Sequence, residues 1–221
     1  MEHVYIKNLF DLSQTIAHTL FASYTYPWEV LPHIGAYIKT LGPTLDPEEY
    51  IQTGDAIWIH RAAAVAPSAS ISGPTIICQG ADIRPGAYIR ANALVGRGAV
   101  AGNSTELKNV ILFDGAQAPH YNYVGDSLLG HKAHMGAGAI TSNLKADHSL
   151  VVIRAGDQEW PTGLKKVGAL LGDYAEVGCN AVLNPGTVVG RRTNIYPLTM
   201  VRGVIPPHSI LKNTGVIVPK K

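Results

Sequence analysis

Charge is scarce in this chain. Of its 221 residues 15% are charged, and Lys+Arg 18 against Asp+Glu 16 leaves a formal balance of +2, where an ordinary globular chain carries about 25% charged residues. So weak a field gives no basis for gripping nucleic acid or an anionic membrane, and neither is expected as a partner. Small anions, which need only a few well-placed cations, stay open. Cysteine is as sparse: Cys78 and Cys179 are the only two. Without a CxxC or a Cys/His spacing they give neither a disulfide framework nor a zinc ribbon, and both read as reduced core residues. No segment offers the roughly 18 consecutive apolar residues of a membrane span. The opening MEHVYIKNLFDLSQ has neither the basic start nor the apolar run of a leader peptide. These absences make the cytoplasm the expected address.

What the chain has is a repeat. Aliphatics stand at Ile59, Val65, Ile71, Ile77, Ile83, Ile89 and Val95, six apart throughout, and again at Leu171, Val177, Leu183, Val189, Ile195 and Val201. Leu112, Ala118, Val124, Leu129 and Met135 carry the pattern between these runs with one five-residue step. Small residues recur two places earlier, as at Ala81, Ala87, Ala93, Ala175 and Ala181. Turn formers such as Arg84-Pro85-Gly86 and Asn184-Pro185-Gly186 fall between them. A period of six fits neither a helix nor an alternating strand. It fits a short strand followed by a sharp corner, three of which close a triangular coil. The expected class is therefore all-β, a parallel β-helix whose coils bury a continuous core by stacking.

Residues 1–56 lack this period. Leu9, Leu12, Ile16 and Leu20 are spaced for one helix, and Leu31, Ile34, Ile38 and Leu41 for a second that Gly42-Pro43 would stop. Such a segment is expected to cap the open end of the coil stack, with a subunit contact or the remnant of a linker as the other readings, leaving 57–221 as the β-helix domain. Residues 143–166 break the register as an insertion, in which Leu150-Val151-Val152-Ile153 before Ala155-Gly156-Asp157 predicts a hairpin.

One stretch is too rich in functional side chains for plain scaffold: Gly102-Asn103-Ser104-Thr105-Glu106-Leu107-Lys108, then His120-Tyr121-Asn122-Tyr123-Val124-Gly125-Asp126, then Gly136-Ala137-Gly138-Ala139-Ile140-Thr141-Ser142-Asn143. With Ala118 pointing inward, His120 falls at a corner. These motifs, in this order over about residues 57 to 205, resemble the acetyltransferase half of bacterial UDP-N-acetylglucosamine pyrophosphorylase/glucosamine-1-phosphate acetyltransferases. The archaeal sugar-1-phosphate nucleotidylyltransferases with an acetyltransferase tail are at least as similar. The resemblance implies a left-handed coil, a cytoplasmic homotrimer and acetyl transfer from acetyl-CoA to the amine of a glucosamine or galactosamine 1-phosphate, in nucleotide-sugar precursor synthesis, with no metal required. It makes His120 the base, a role that suits an imidazole, with Tyr123 and Asn143 positioning base and sugar. It makes Arg90 and Lys108 the phosphate-binding pair and puts His134 on the sugar. Ala137 falls at the acetyl group and Ala169 along the pantetheine arm, with Lys165 and Lys166 toward the CoA phosphates. No nucleotidyl-transfer domain is expected here, since some fifty residues before the coils cannot hold one.

Two positions depart from the bacterial pattern: His134 replaces an asparagine, and Ser149 a lysine for which Lys145, Lys165 or Lys166 could stand in. Two other readings accompany the enzyme. One is a trimeric sugar-phosphate-binding or regulatory scaffold without turnover. The other is a gamma-class carbonic anhydrase using His120, His131 and His134 on zinc, a poor fit because ligands three apart point to different parts of a corner.

Overall fold

A computed structural model describes residues 2–220. From Ile57 onward the chain winds as a parallel β-helix, each coil giving one short strand to each of three faces. The first face stacks Ile57–His60, Thr75–Ile77, Ala93–Val95, the ends of Glu106–Leu112 and Tyr123–Leu129, then Ala169–Leu171, Thr187–Val189 and Val204–Ile205. The second holds Ala64–Val65, Asp82–Ile83, Val100–Asn103, Gln117–His120, His134–Met135, Glu176–Val177, Asn194–Ile195 and Ser209–Leu211. The third holds Ser70–Ser72, Tyr88–Arg90, the starts of Glu106–Leu112 and Tyr123–Leu129, Ile140–Thr141, Val182–Leu183 and Met200–Val201.

The hexad aliphatics point inward as one core running from Ile77 to Val201, with Ala81, Ala87, Ala93, Ala175 and Ala181 tucked beside the corners. After the first coil, each turn from the first to the second face is made by a left-handed residue: Gly80, Gly98 and Gly115, then Lys132, Tyr174, Arg192 and His208. Glycine adopts that backbone freely, and the side chains that replace it pay a modest strain. An antiparallel strand covers one face at each end of the stack: Tyr50–Gly54 pairs with Ile57–His60, and Ile217–Pro219 with Ser209–Leu211, so part of each open edge is protected.

The N-terminal segment lies elsewhere than expected. Outward-facing Ile76, Leu94, Ile111, Leu128, Leu170 and Val188 of the first face are all completely buried, in a second apolar cluster with Phe10, Phe21, Leu31, Ile34 and Ile38. Most of the segment thus packs along a flank of the prism, and only Tyr50–Gly54 covers an end. The expected first helix is also corrected. It is broken into Ile6–Leu9, Leu12–Gln14 and His18–Phe21, because Asp11 accepts from the Ser13 N–H and Thr15 from the Ala17 N–H, local bonds that compete with helix. The second survives as Ile34–Leu41, starting just after Pro32 and followed by a tight turn over Gly42–Thr44. Residues 143–166 leave the coil and form a hairpin of Val152–Ala155 and Gln158–Pro161 that turns at Gly156. Among the described residues no helix is long and apolar enough to cross a membrane. Cys78 is buried but Cys179 is exposed, which corrects the reading of both as core.

Candidate functional site

The third face and its two corners gather most of the singled-out side chains. Tyr88, Glu106, Tyr123 and Ile140 stand in register on successive coils. Arg90 donates from Nη1 to Glu106 Oε1 at 3.1 Å, an exposed pair, and Glu106 adjoins Tyr123. Where this face turns into the first, Asn109 and Asp126 stack, both in the left-handed backbone that Asn and Asp tolerate best. The Asp126 carboxylate is buried and is the hub. Lys108 Nζ donates to its two oxygens at 3.1 and 3.0 Å, Asn109 Nδ2 to Oδ1 at 3.0 Å and Asn143 Nδ2 to Oδ2 at 2.5 Å. Asn143 Nδ2 also donates to Tyr123 Oη at 3.2 Å, so its Oδ1 and the Tyr123 proton are left for a ligand. Burial first, and the Asp126 charge next, raise the Tyr123 phenol above its ordinary range, so it stays a donor. Gly125 makes the arrangement possible: a Cβ there would lie 2.5 Å from Tyr123 Oη and 2.9 Å from Asn143 Nδ2.

His120 occupies the other corner, between the second and third faces, immediately before left-handed Tyr121. It is exposed, and its imidazole bonds to nothing among the described residues. Its backbone is fixed. The His120 N–H donates to Asn122 Oδ1 at 3.0 Å, and its carbonyl accepts from the Gly138 N–H at 3.0 Å. Buried Asn122 donates in turn to the carbonyls of Gly136 and Ala139 at 2.8 and 2.9 Å. The corner of one coil is thereby tied to the Gly136-Ala137-Gly138 corner of the next, where the half-buried Ala137 N–H meets no acceptor among the described residues. An imidazole, an unclaimed N–H, a phenol and an amide oxygen thus border one face.

These features can be set beside known proteins. No family model matches the chain. A bifunctional protein GlmU of Methanococcus vannielii is 32% identical over 198 residues, 88% of this chain and 47% of that protein. That of Methanococcus maripaludis is 31% identical over 138 residues, 62% of this chain and 33% of its own length. A bifunctional sugar-1-phosphate nucleotidylyltransferase/acetyltransferase of Sulfurisphaera tokodaii is 31% identical over 117 residues, covering 53% and 29%. The chain is a homologue of the GlmU proteins. It spans less than half the length of each of these relatives. Among solved structures, the acetyltransferase domain of PglB from Neisseria gonorrhoeae is similar over 91% of this chain and 76% of its own at 16% identity and a TM-score of 0.32.

In this GlmU homologue the remaining expected residues are dispersed. His134 lies on the second face with Nδ1 3.1 Å from Glu176 Oε2. His131 Nδ1 is 2.7 Å from the Asp114 carbonyl, so the histidines have separate partners, and among the described residues no three potential metal ligands converge. Lys165 and Lys166 are exposed where the insertion returns, Lys166 bridging to Leu144. Lys145 reaches Ser149, the position where the resemblance expects a lysine. Ala169 is corrected: it is completely buried and its N–H donates to Ser127 Oγ at 2.9 Å, so its side chain lines the core and no cofactor path. Asp126 was not anticipated, although it stands in the quoted motif; a lone acid behind glycine gives no sign that three side chains converge on it. Nor was Asn122, a polar residue in a small-residue slot of the hexad, which was the available signal.

Proposed function

We propose that the chain is an acetyl-CoA-dependent N-acetyltransferase acting on an amino-sugar 1-phosphate, glucosamine or galactosamine 1-phosphate, in nucleotide-sugar precursor synthesis. The observation that carries this reading is the backbone bond from the Gly138 N–H to the His120 carbonyl, which sets the corner bearing the unpartnered imidazole on the coil whose Ala137 N–H is unclaimed. In the reaction the sugar amine adds to the thioester carbonyl as His120 takes its proton, the Ala137 N–H supports the oxyanion, and the C–S bond breaks to release CoA, whose sulfur takes a proton. Asn143 Oδ1 would accept from the amine and the Tyr123 hydroxyl would donate to the sugar. Arg90 and Lys108 would hold the phosphate, Arg90 by exchanging the exposed Glu106 for it, which costs little. The step uses no metal, and the cytoplasm is the proposed setting.

A homotrimer is part of the proposal. Ile140, Val182 and Met200 follow in register on the third face, with Met200 65% and nearby Leu198 74% exposed, an apolar stripe that flat prism faces would bury around a threefold axis. The non-catalytic reading draws on one observation, that both phosphate candidates already have carboxylate partners.

A thiol-release assay with acetyl-CoA and a panel of amino-sugar 1-phosphates separates the two. The enzyme reading expects turnover with at least one sugar and a loss of about 10²- to 10⁴-fold in His120→Ala, without a change in unfolding temperature. Sugar binding without CoA release from any member of the panel would leave only the scaffold.

A further inference from the structure

The insertion does more than interrupt the coil. Its hairpin is fixed against the neighbouring corners: Val151 and Ile153 are buried, and a Cβ on left-handed Gly186 would come within 2.8 and 3.1 Å of their Cγ1 atoms. Left-handed Gly203 meets the hairpin in the same way, since a Cβ there would fall 2.6 Å from the Arg154 carbonyl. Between hairpin and third face this docking leaves an open cavity of about 500 Å³. Lys145, Arg154, Arg202 and Asn184 border it, and Leu144 and Val152 are among its apolar walls.

Its electrostatics are one-sided. Among the described residues Asp147 is the single carboxylate that lines the cavity, against three cations drawn from the insertion and from the coil. Arg202 makes no ion pair among the described residues. Arg154 pairs with Glu159 at 2.6 Å and Lys145 with Asp147 at 3.5 Å, but each pair is substantially exposed. Contacts of that kind yield readily to an anion that offers several oxygens at once. Asn184 spends its amide N–H on the Val201 carbonyl at 2.9 Å, leaving Oδ1 to accept a hydroxyl.

We propose that this cavity is a second ligand site, which takes the phosphate group of a small phosphorylated molecule carrying hydroxyls. It lies beyond Asn143 on the side of the third face away from His120, and it needs neither Arg90 nor Lys108. It therefore stands whether or not acetyl transfer does.

Calorimetric titration of the full chain tests it with four probes: inorganic pyrophosphate, glucose 1-phosphate, uridine diphosphate and unphosphorylated glucose. The expected result is binding of at least one phosphorylated probe and none of glucose. Arg202→Ala, at an exposed side chain, should weaken that binding about tenfold or more, Lys145→Ala together with Arg154→Ala should weaken it further, and the same losses should appear in an Arg90→Ala background, where the phosphate pair of the first site is disabled. Preference for glucose 1-phosphate would mark a sugar phosphate, and preference for the diphosphates a nucleotide. If no phosphorylated probe binds, or if binding follows Arg90 and ignores Arg202, the second site does not exist and the acetyl-transfer proposal is untouched.

Discussion

Asn143 Nδ2 donates to Asp126 Oδ2 across 2.5 Å, although 17 positions separate the two residues. The contact joins the corner of one coil to the point where the insertion departs from the next, and Lys108 closes the same carboxylate from the coil before. Removing the carboxylate strands a lysine that is only 24% exposed. Asp126→Ala should therefore cost about 3 kcal/mol, read as a fall in the denaturant midpoint. Asp126→Asn keeps the shape and should lose less. Equal and negligible losses in both would show that the network contributes nothing to the fold.

Gly125 is the second test of that geometry. A methyl group there collides with both Tyr123 Oη and Asn143 Nδ2, and the phenol has the freer path away. Gly125→Ala should destabilise by about 1–3 kcal/mol. It should also bring one tyrosine ionisation down toward the ordinary range, because exposure removes the burial that raises it. Absorbance titration at alkaline pH follows the change, and Tyr123→Phe identifies the band. An unchanged titration would mean that Tyr123 stays where it is.

The coil was legible because its inward positions repeat every six residues, and a core shared by stacked coils tolerates nothing else there. The flank was not, although its signal is present. Ile76, Leu94, Ile111, Leu128, Leu170 and Val188 point outward yet are aliphatic, which a solvent-facing position does not require. The repeat drew attention to the residue beside each of them. The broken first helix was illegible for another reason: its apolar spacing is met by successive short turns just as well, and Asp11 and Thr15 decide between them. For the proposed site, the motifs and their resemblance pointed to His120, Tyr123 and Asn143, because side chains unneeded by a scaffold stand out. Asp126 and Asn122 act by joining coils, and such pairings are invisible until the register is known.

The two thiols should behave oppositely. Burial pushes the Cys78 thiol up to about 12, so it stays protonated and unreachable in the folded chain. Cys179 is exposed, one residue before Asn180, whose N–H donates to the Ala137 carbonyl at 2.9 Å. A maleimide should thus label a single thiol in the native protein and both in denaturant. Under the acetyl-transfer proposal that label falls beside the corner where the thioester would lie. It should reduce CoA release, acetyl-CoA should slow the labelling, and Cys179→Ser should be immune. Fast labelling of Cys78, or a labelled protein with full turnover, would contradict this placement.

Asp173 gives the pH prediction. It links the N-terminal segment to the coils, accepting from the Asp11 N–H at 2.7 Å and the His131 N–H at 2.9 Å and pairing with Arg191 at 3.1 Å. Burial nevertheless prevails over these bonds and raises its carboxyl above 3.8. The folded state then holds this proton more tightly than the unfolded state, so stability falls as pH rises through that interval and levels off above the folded midpoint. Asp173→Asn has no proton to lose. Its unfolding free energy, followed from pH 3 to pH 7 beside the parent's, should therefore gain on the parent as pH rises, whatever constant cost the lost Arg191 pair imposes. A parent that instead gains on the variant over the same range would mean that Arg191 and the two N–H groups outweigh burial at this carboxylate.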